Sequence, residues 1–127
     1  MQSVNKIMTN NEIYKLALDL TNAKFEESDI YIPAAVNFAI QKNKSALMDI
    51  AEVIEKGRMN IIQHYGELNE EGSFVVPEDK IDEANNELRD LLEIEQEVKI
   101  YYCDIEALNN VQLTYSQMEA IMFMIEN

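Results

Sequence analysis

Residues 33–65 have the sequence PAAVNFAIQKNKSALMDIAEVIEKGRMNIIQHY, and this stretch decides the fold. Its apolar residues recur every three or four positions, as on one face of an α-helix. Pro33 suits a first helical position and Gly66 suits a helix stop, so we predict one helix from Pro33 to Tyr65. At 1.5 Å per residue its length is about 50 Å, whereas the radius of gyration of such a domain is roughly 14 Å. The helix therefore projects, bends or packs along a partner, and we expect a homodimer through this long helix.

Shorter elements are predicted on both sides of this helix. Capping boxes begin at Thr9 and Thr114, and Pro77 opens a third helix. Short apolar or alternating runs over 73–76 and 98–103 are typical of strands, and the helix between them implies a parallel pair with a right-handed crossover. The predicted fold is therefore α+β and helix-dominated, with a long central helix packed with about three shorter helices and a small two-stranded sheet.

The composition limits the chain to one domain. It has 127 residues with 47% hydrophobic residues, enough for a buried core but not for two domains. We predict an N-terminal tail over residues 1–8 and a single domain over residues 9–127. Cys103 is the only cysteine, which fits a reducing cytoplasm, and no apolar run has the length of a signal peptide or a membrane span. We therefore expect a soluble cytoplasmic protein with no membrane partner.

The residues that common enzyme motifs require are missing from the sequence. The glycines, Gly57, Gly66 and Gly72, match no phosphate-binding loop. His64 is the only histidine, so the Glu-x-x-His pairs of di-metal bundles and the ligand sets of structural zinc sites are excluded. We predict no cofactor, no resident metal and no catalytic residue, and therefore not an enzyme. Two enzymatic alternatives stay open: a metal-assisted enzyme that uses clustered carboxylates, and a nucleophile pair of Cys103 and His64.

The negative charge is concentrated in one half of the chain. The sequence has 24 acidic and 10 basic residues, a net charge of −14. Residues 1–66 carry 8 acidic and 7 basic residues, whereas residues 67–127 carry 16 and 3. Residues 78–97 alone carry nine acidic and two basic residues. As one helix they would span about 29 Å, with one net negative charge per roughly 4 Å, close to the spacing of about 3.4 Å in one nucleic-acid strand.

Seven of these carboxylates are predicted to form one exposed ridge that binds a partner. They recur at helical spacing opposite a leucine stripe. The predicted partner-binding residues are Asp79, Asp82, Glu83, Glu87, Asp90, Glu93 and Glu97. One interpretation is that the ridge mimics nucleic acid and occupies a basic groove on a host protein; the other is a solvated face that maintains solubility. Direct binding of nucleic acid or of anionic membranes is disfavoured, because like charges repel.

Spaced residues of the long helix and of the segments after it carry a resemblance. They are Ile32, Pro33, Phe38, Ile40 and Asn43, then Ile54, Arg58, Ile61, Ile62, Tyr65, Gly66 and Glu67, then Gly72, Leu91, Leu92 and Glu95. In this pattern, over roughly residues 32–124, the chain resembles a family of small uncharacterised proteins from tailed phages and prophages of low-GC Gram-positive bacteria. The resemblance implies phage origin and location in the host cytoplasm. It implies no activity, cofactor or catalytic residue.

Charge and resemblance together predict a phage accessory protein that acts without catalysis. It would bind a host protein and inhibit a host defence or nucleic-acid-processing enzyme through the acidic helix. The alternative is a phage assembly factor or chaperone for tail or head morphogenesis, with the long helix and the methionine-rich last helix as apolar contact surfaces.

Overall fold

The computed structural model of the chain describes residues 2–27 and 29–126. The helices are α1 (Asn10–Asn22), α2 (Ala34–Tyr65), α3 (Ile81–Glu93) and α4 (Tyr115–Ile121), and the strands are β1 (Gln2–Thr9), β2 (Glu67–Leu68), β3 (Phe74–Val75), β4 (Glu95–Asp104) and β5 (Ile125–Glu126). Short 3-10 turns lie at Phe25–Glu27, Glu78–Lys80, Ile105–Leu108 and Met122–Met124. The predicted class is confirmed: the fold is α+β, dominated by helices, and organised on one long helix.

The main sheet has the strand order β1-β4-β5. Strand β1 runs antiparallel to β4 along its whole length, from Gln2 opposite Tyr102 to Thr9 opposite Glu95. The predicted tail over residues 1–8 is therefore wrong for residues 2–8, while Met1 lies outside the described residues. Local sequence gives little sign of β1, because its apolar residues do not alternate; pairing with β4 and burial of Met8 hold it in the sheet.

The predicted parallel pair of strands is also wrong. Strand β3 pairs antiparallel with β2 in a small hairpin, and β4 pairs with β1 and β5. The turn between β2 and β3 explains this pairing. Gly72 adopts a φ of +81°, and the Asn69 carboxamide oxygen accepts hydrogen bonds from the amides of Glu71 and Ser73 at 3.0 and 2.9 Å. A local hairpin of this kind needs no crossover.

Both predicted capping boxes start helices. The Thr9 hydroxyl accepts from the Glu12 amide at the start of α1, and Thr114 and Gln117 form a complete capping box on α4. The last helix is short: α4 ends at Ile121, and the chain continues as a 3-10 turn into β5. This short connection lets β5 pair in parallel with the end of β4.

The predicted long helix is confirmed as α2, which is unbroken over 32 residues. Its buried residues, which face α1 and the sheet, are Val36, Ala39, Ile40, Asn43, Leu47, Ala51 and Ile54. In residues 55–65, all of which the structure describes, no side chain is fully buried. The distal third of α2 therefore extends beyond the core, where α3 and the β2–β3 hairpin cover it in part.

One polar residue lies in the centre of the α2 packing surface. The Asn43 side chain has no exposed area, and its Nδ2 donates to the carbonyl oxygen of Tyr101 at 2.8 Å. Its Oδ1 accepts from the Tyr101 amide, also at 2.8 Å. The carboxamide therefore binds β4 as one residue of a neighbouring strand would, on the edge opposite β1.

We predict that Asn43→Ala destabilises the protein by about 2–4 kcal/mol, because it leaves a buried amide and a buried carbonyl of Tyr101 without partners. Urea unfolding followed by far-UV circular dichroism measures the change. The matched control is Asn60→Ala, an exposed position on the same helix, for which we expect a change within about 0.5 kcal/mol. Equal stabilities of the two variants would contradict this account of the β4 edge.

Candidate protein-binding surface

The position of α3 follows from close packing on α2. Gly57 of α2 faces Leu91 of α3, and a Cβ atom at Gly57 would lie only 3.1 Å from Leu91 Cδ2. The far end of α3 is fixed by Asn10, which is 3% exposed. Its Nδ2 donates to the Leu91 carbonyl and its backbone amide donates to the Ile94 carbonyl, both at 2.8 Å. These contacts hold α3 with its apolar stripe inward.

The outer face of α3 carries the acidic ridge, which we define as Asp79, Asp82, Glu83, Glu87, Asp90 and Glu93. All six side chains are exposed; Asp79 lies in the preceding 3-10 turn and the others lie in α3. At 100° per residue the five members in α3 cover an arc of about 140°. The buried Ala84 lies on the opposite side of the helix. The structure therefore brings five of the seven predicted residues onto one face of α3, and Asp79 is exposed in the turn that precedes the helix.

Glu97, the seventh predicted residue, lies elsewhere. Helix α3 ends at Glu93, and from Glu95 the chain is the strand β4, so residues 78–97 do not form one helix. On β4, Glu97 stands opposite Ile7 and lines a groove with Lys99 and with Lys42 of α2. The prediction failed here because the chain reverses at Ile94, which depends on the contacts of Asn10.

Because α3 ends at Glu93, the charge density of the ridge is lower than the sequence predicts. Helix α3 carries five acidic residues and Arg89, a net charge of −4 over 13 residues. At 1.5 Å per residue that is about 20 Å, or one net charge per roughly 5 Å. One strand of nucleic acid carries a charge about every 3.4 Å. The ridge is thus an imperfect electrostatic copy of a phosphate backbone.

No cationic side chain of the described residues forms a salt bridge with a ridge carboxylate. Within residues 2–27 and 29–126 there are two salt bridges, Lys44 with Glu26 at 3.0 Å and Arg58 with Glu55 at 2.6 Å. The hydrogen bond from each cation is the main cause that lowers the pKa of its carboxyl partner. Neither bridge includes a ridge residue, so the ridge presents its negative charge to solvent.

The ridge acts on one neighbouring neutral group. The pKa of Tyr65, at the end of α2, is raised, and the main cause is its hydrogen bonding with the side chain of Glu87. Desolvation and the charges of Glu87 and Glu83 act in the same direction. Tyr65 therefore reports the negative potential of the ridge.

Exposed apolar side chains lie in the distal part of α2, in the β2–β3 hairpin and at the start of α3, and the charge pattern did not predict them. We define the distal patch as these side chains, which are 37–63% exposed: Met59, Leu68, Phe74, Val75 and Ile81. Ile81 also lines a groove of about 210 Å³, together with Ile61 and Ile62 of α2, Val76 after β3 and further side chains of α2 and α3. The runs Ile61-Ile62 and Phe74-Val75-Val76 are the signals in the sequence from which this surface could have been predicted.

The comparisons with known proteins add no relative. No family model, no curated protein and no solved structure matches the chain. In the part of the chain that the structure describes, no three His, Cys, Asp or Glu side chains are grouped so that they could hold a metal ion. None of the described helices is both long and apolar enough to cross a membrane. The ridge and the distal patch are therefore the two features of the molecule that point to a function.

We predict that Glu87→Gln lowers the pKa of Tyr65 towards its ordinary value, because the substitution replaces the carboxylate acceptor of the hydrogen bond by a neutral amide and removes the negative charge beside the hydroxyl. A pH titration of ¹³C-labelled tyrosine by NMR measures it. Because folding raises this pKa, the contribution of Tyr65 to stability is present below about pH 10 and is lost as pH rises through the raised value.

The matched control is Glu93→Gln, which removes one ridge charge at the other end of α3. The Tyr65 titration should then stay close to that of the wild type. An unchanged pKa in the Glu87→Gln variant would show that the ridge potential does not act on Tyr65.

Proposed function

We propose that the protein is a non-enzymatic phage accessory protein that binds a host protein through the acidic ridge and inhibits a host defence or nucleic-acid-processing enzyme. One observation carries this proposal: the six ridge carboxylates are exposed, five of them on one face of α3, and no salt bridge of the described chain includes them. A groove lined with Lys and Arg would supply the missing cationic partners. Phage origin and location in the host cytoplasm rest on the resemblance of residues 32–124.

The dimensions of α3 favour a groove that holds a single strand. Helix α3 is about 20 Å long and, with its side chains, about 10–12 Å across. At about 3.4 Å per nucleotide its length corresponds to roughly six nucleotides. Grooves that bind single strands without sequence preference hold about 4–16 nucleotides per domain and are lined with positive charge. A protein with such a groove is therefore the partner that we propose.

The ridge has a lower charge density than a nucleic-acid strand, so a basic groove attracts the ridge less strongly. A tight complex therefore needs a second source of binding free energy. The distal patch begins at Ile81, directly beside Asp82. A partner that contacts both surfaces would bury apolar side chains next to the charge-assisted contacts, and central apolar anchors supply much of the affinity of protein interfaces. Charged contacts around such anchors mainly set association rate and specificity.

The second candidate function is a phage assembly factor or chaperone for tail or head morphogenesis. The distal patch favours it, since Leu68 and Val75 are 63% and 54% exposed at the end of a helix that extends beyond the core. Clustered exposed apolar side chains mark protein-binding surfaces. In this function the acidic ridge would serve only to maintain solubility.

To test the proposal, tagged protein is used to capture partners from a lysate of a low-GC Gram-positive bacterium, and each partner is eluted with increasing salt. The ridge variant is Asp82→Asn, Glu83→Gln, Asp90→Asn and Glu93→Gln in one chain. For a captured nucleic-acid-binding enzyme we expect at least a tenfold loss of affinity for the ridge variant at about 50 mM salt, and a smaller loss at about 300 mM, because salt screens exposed charges.

The matched control neutralises four exposed acidic residues outside the ridge: Glu70→Gln, Glu71→Gln, Asp104→Asn and Glu106→Gln. It has the same net charge as the ridge variant and should keep wild-type affinity. The wild type and this control should also displace a labelled oligonucleotide from the captured enzyme, whereas the ridge variant should not. Capture of virion proteins that persists at high salt and does not depend on the ridge would overturn the proposal in favour of the assembly factor.

A further inference from the structure

The outer edge of β1 is an open edge of the main sheet. In the order β1-β4-β5, strand β1 lies at one edge of the sheet, and among the residues that the structure describes it pairs only with β4. The strand is regular over eight residues, Gln2–Thr9, and contains no proline. Its single charged residue is Lys6. Natural sheets usually protect such an edge with several charges, a proline, a bulge or a covering segment.

The register determines which backbone groups of β1 face outward. The amide and the carbonyl of Tyr101 both bind Asn43 and therefore point away from β1. Ser3, which stands opposite Tyr101, thus forms no backbone hydrogen bond with it. At the other end of the strand, the Asn10 amide donates to the Ile94 carbonyl, so residue 10 bonds towards β4. Because hydrogen-bonded and non-hydrogen-bonded residues alternate along the strand, this bond gives the same assignment. The even-numbered residues of β1 thus bond to β4. The amides and carbonyls of Ser3, Asn5 and Ile7 point away from the sheet.

The side chains along this edge are suited to being covered. Val4 is 43% exposed and Ile7 is 61% exposed, on opposite faces of the strand. On the helical side a groove of about 790 Å³ opens between β1, α1 and α4. Its charged lining comprises Glu12, Asp19 and Glu119 against Lys6 and Lys15. A strand entering beside β1 therefore meets a slight excess of negative charge.

We propose that β1 of a second copy of this chain pairs with this edge, antiparallel and two-fold symmetric about Asn5, to form a six-stranded sheet across a homodimer. In this register Ser3 of one copy stands opposite Ile7 of the second copy, and Val4 stands opposite Lys6 of the second copy. The outward amides and carbonyls of Ser3, Asn5 and Ile7 satisfy one another across the axis.

Charge complementarity selects a second copy as the occupant. Most of the net charge of −14 lies in residues 67–127, and β1 itself has no carboxylate. Pairing two β1 strands therefore joins segments without negative charge. The two Lys6 side chains are not opposite each other in this register, and each approaches a groove with a slight acidic excess. This interface uses β1 rather than the long helix, and it goes beyond the proposed function because it uses neither the ridge nor the distal patch.

Sedimentation velocity of the full chain, at about 10 and 300 µM, tests the proposal. We expect the mass to rise from 14.7 kDa towards twice that value with concentration. Amide hydrogen exchange by NMR gives the register: the amides of Ser3, Asn5 and Ile7 should gain at least tenfold protection with concentration, whereas the Val4 and Lys6 amides should be protected throughout.

The discriminating variant is Asn5→Pro, because the Asn5 amide makes no bond within the monomer and proline is tolerated on strand edges. It should stay monomeric at about 300 µM and unfold at the wild-type temperature when both are dilute. Ser3→Pro is the second variant, used in the same way if Asn5→Pro does not fold. The control is Val53→Lys on an exposed position of α2, which should dimerise normally. A monomer at every concentration, a dimer that both proline variants retain, or a dimer that Val53→Lys abolishes would overturn the proposal.

Discussion

The two hydrogen bonds between the Asn43 carboxamide and the backbone of Tyr101 are the contact on which the rest of the structure depends. A carboxamide has a donor and an acceptor at the spacing of a peptide group, so it can complete the ladder of a strand from the side of a helix. Strand β4 is thereby held on one edge by β1 and on the other by β5 and α2. An unpaired amide at this buried position would cost about 1–3 kcal/mol, so other registers of β4 against α2 are disfavoured.

Two further buried side-chain amides, Asn10 and Gln117, also bind backbone groups, and they lie in the first turns of α1 and α4. Asn10 joins the start of α1 to the end of α3 and accepts a hydrogen bond from Gln96. Gln117 completes the cap of α4 and donates to the carbonyl of Ala23. Each amide binds backbone groups of a segment distant in sequence. With α2 fixed against β4 by Asn43, the buried residues of α2 up to and including Ile54 lie in the core, and the remainder of α2 extends beyond it to carry α3.

Local signals in the sequence predicted the parts of the fold that are determined locally. The boxes at Thr9 and Thr114 fixed two helix starts, and the 3.6-residue period fixed α2 and the acidic face of α3. The strand pairing was not predictable in this way. Asn43 and Asn10 are ordinary polar residues in a helical pattern, and only the tertiary structure shows that each binds a distant backbone. The end of the ridge at Glu93 depends on the second of these contacts, which is why Glu97 was wrongly included.

The separation of charge along the chain connects the two proposed interfaces. Residues 67–127 carry almost all of the net charge, and the ridge lies within them, whereas β1 lies in the nearly neutral half. A dimer joined through β1 would avoid most of the repulsion between two chains of charge −14, and it would leave both ridges uncovered. In such a dimer, the two ridges would bind a partner that has two basic sites with an effective concentration set by the separation of the sites, which raises avidity over the affinity of one ridge by about 10²–10⁴. Under the proposed function, this gain would compensate for a ridge whose charge density is lower than that of nucleic acid.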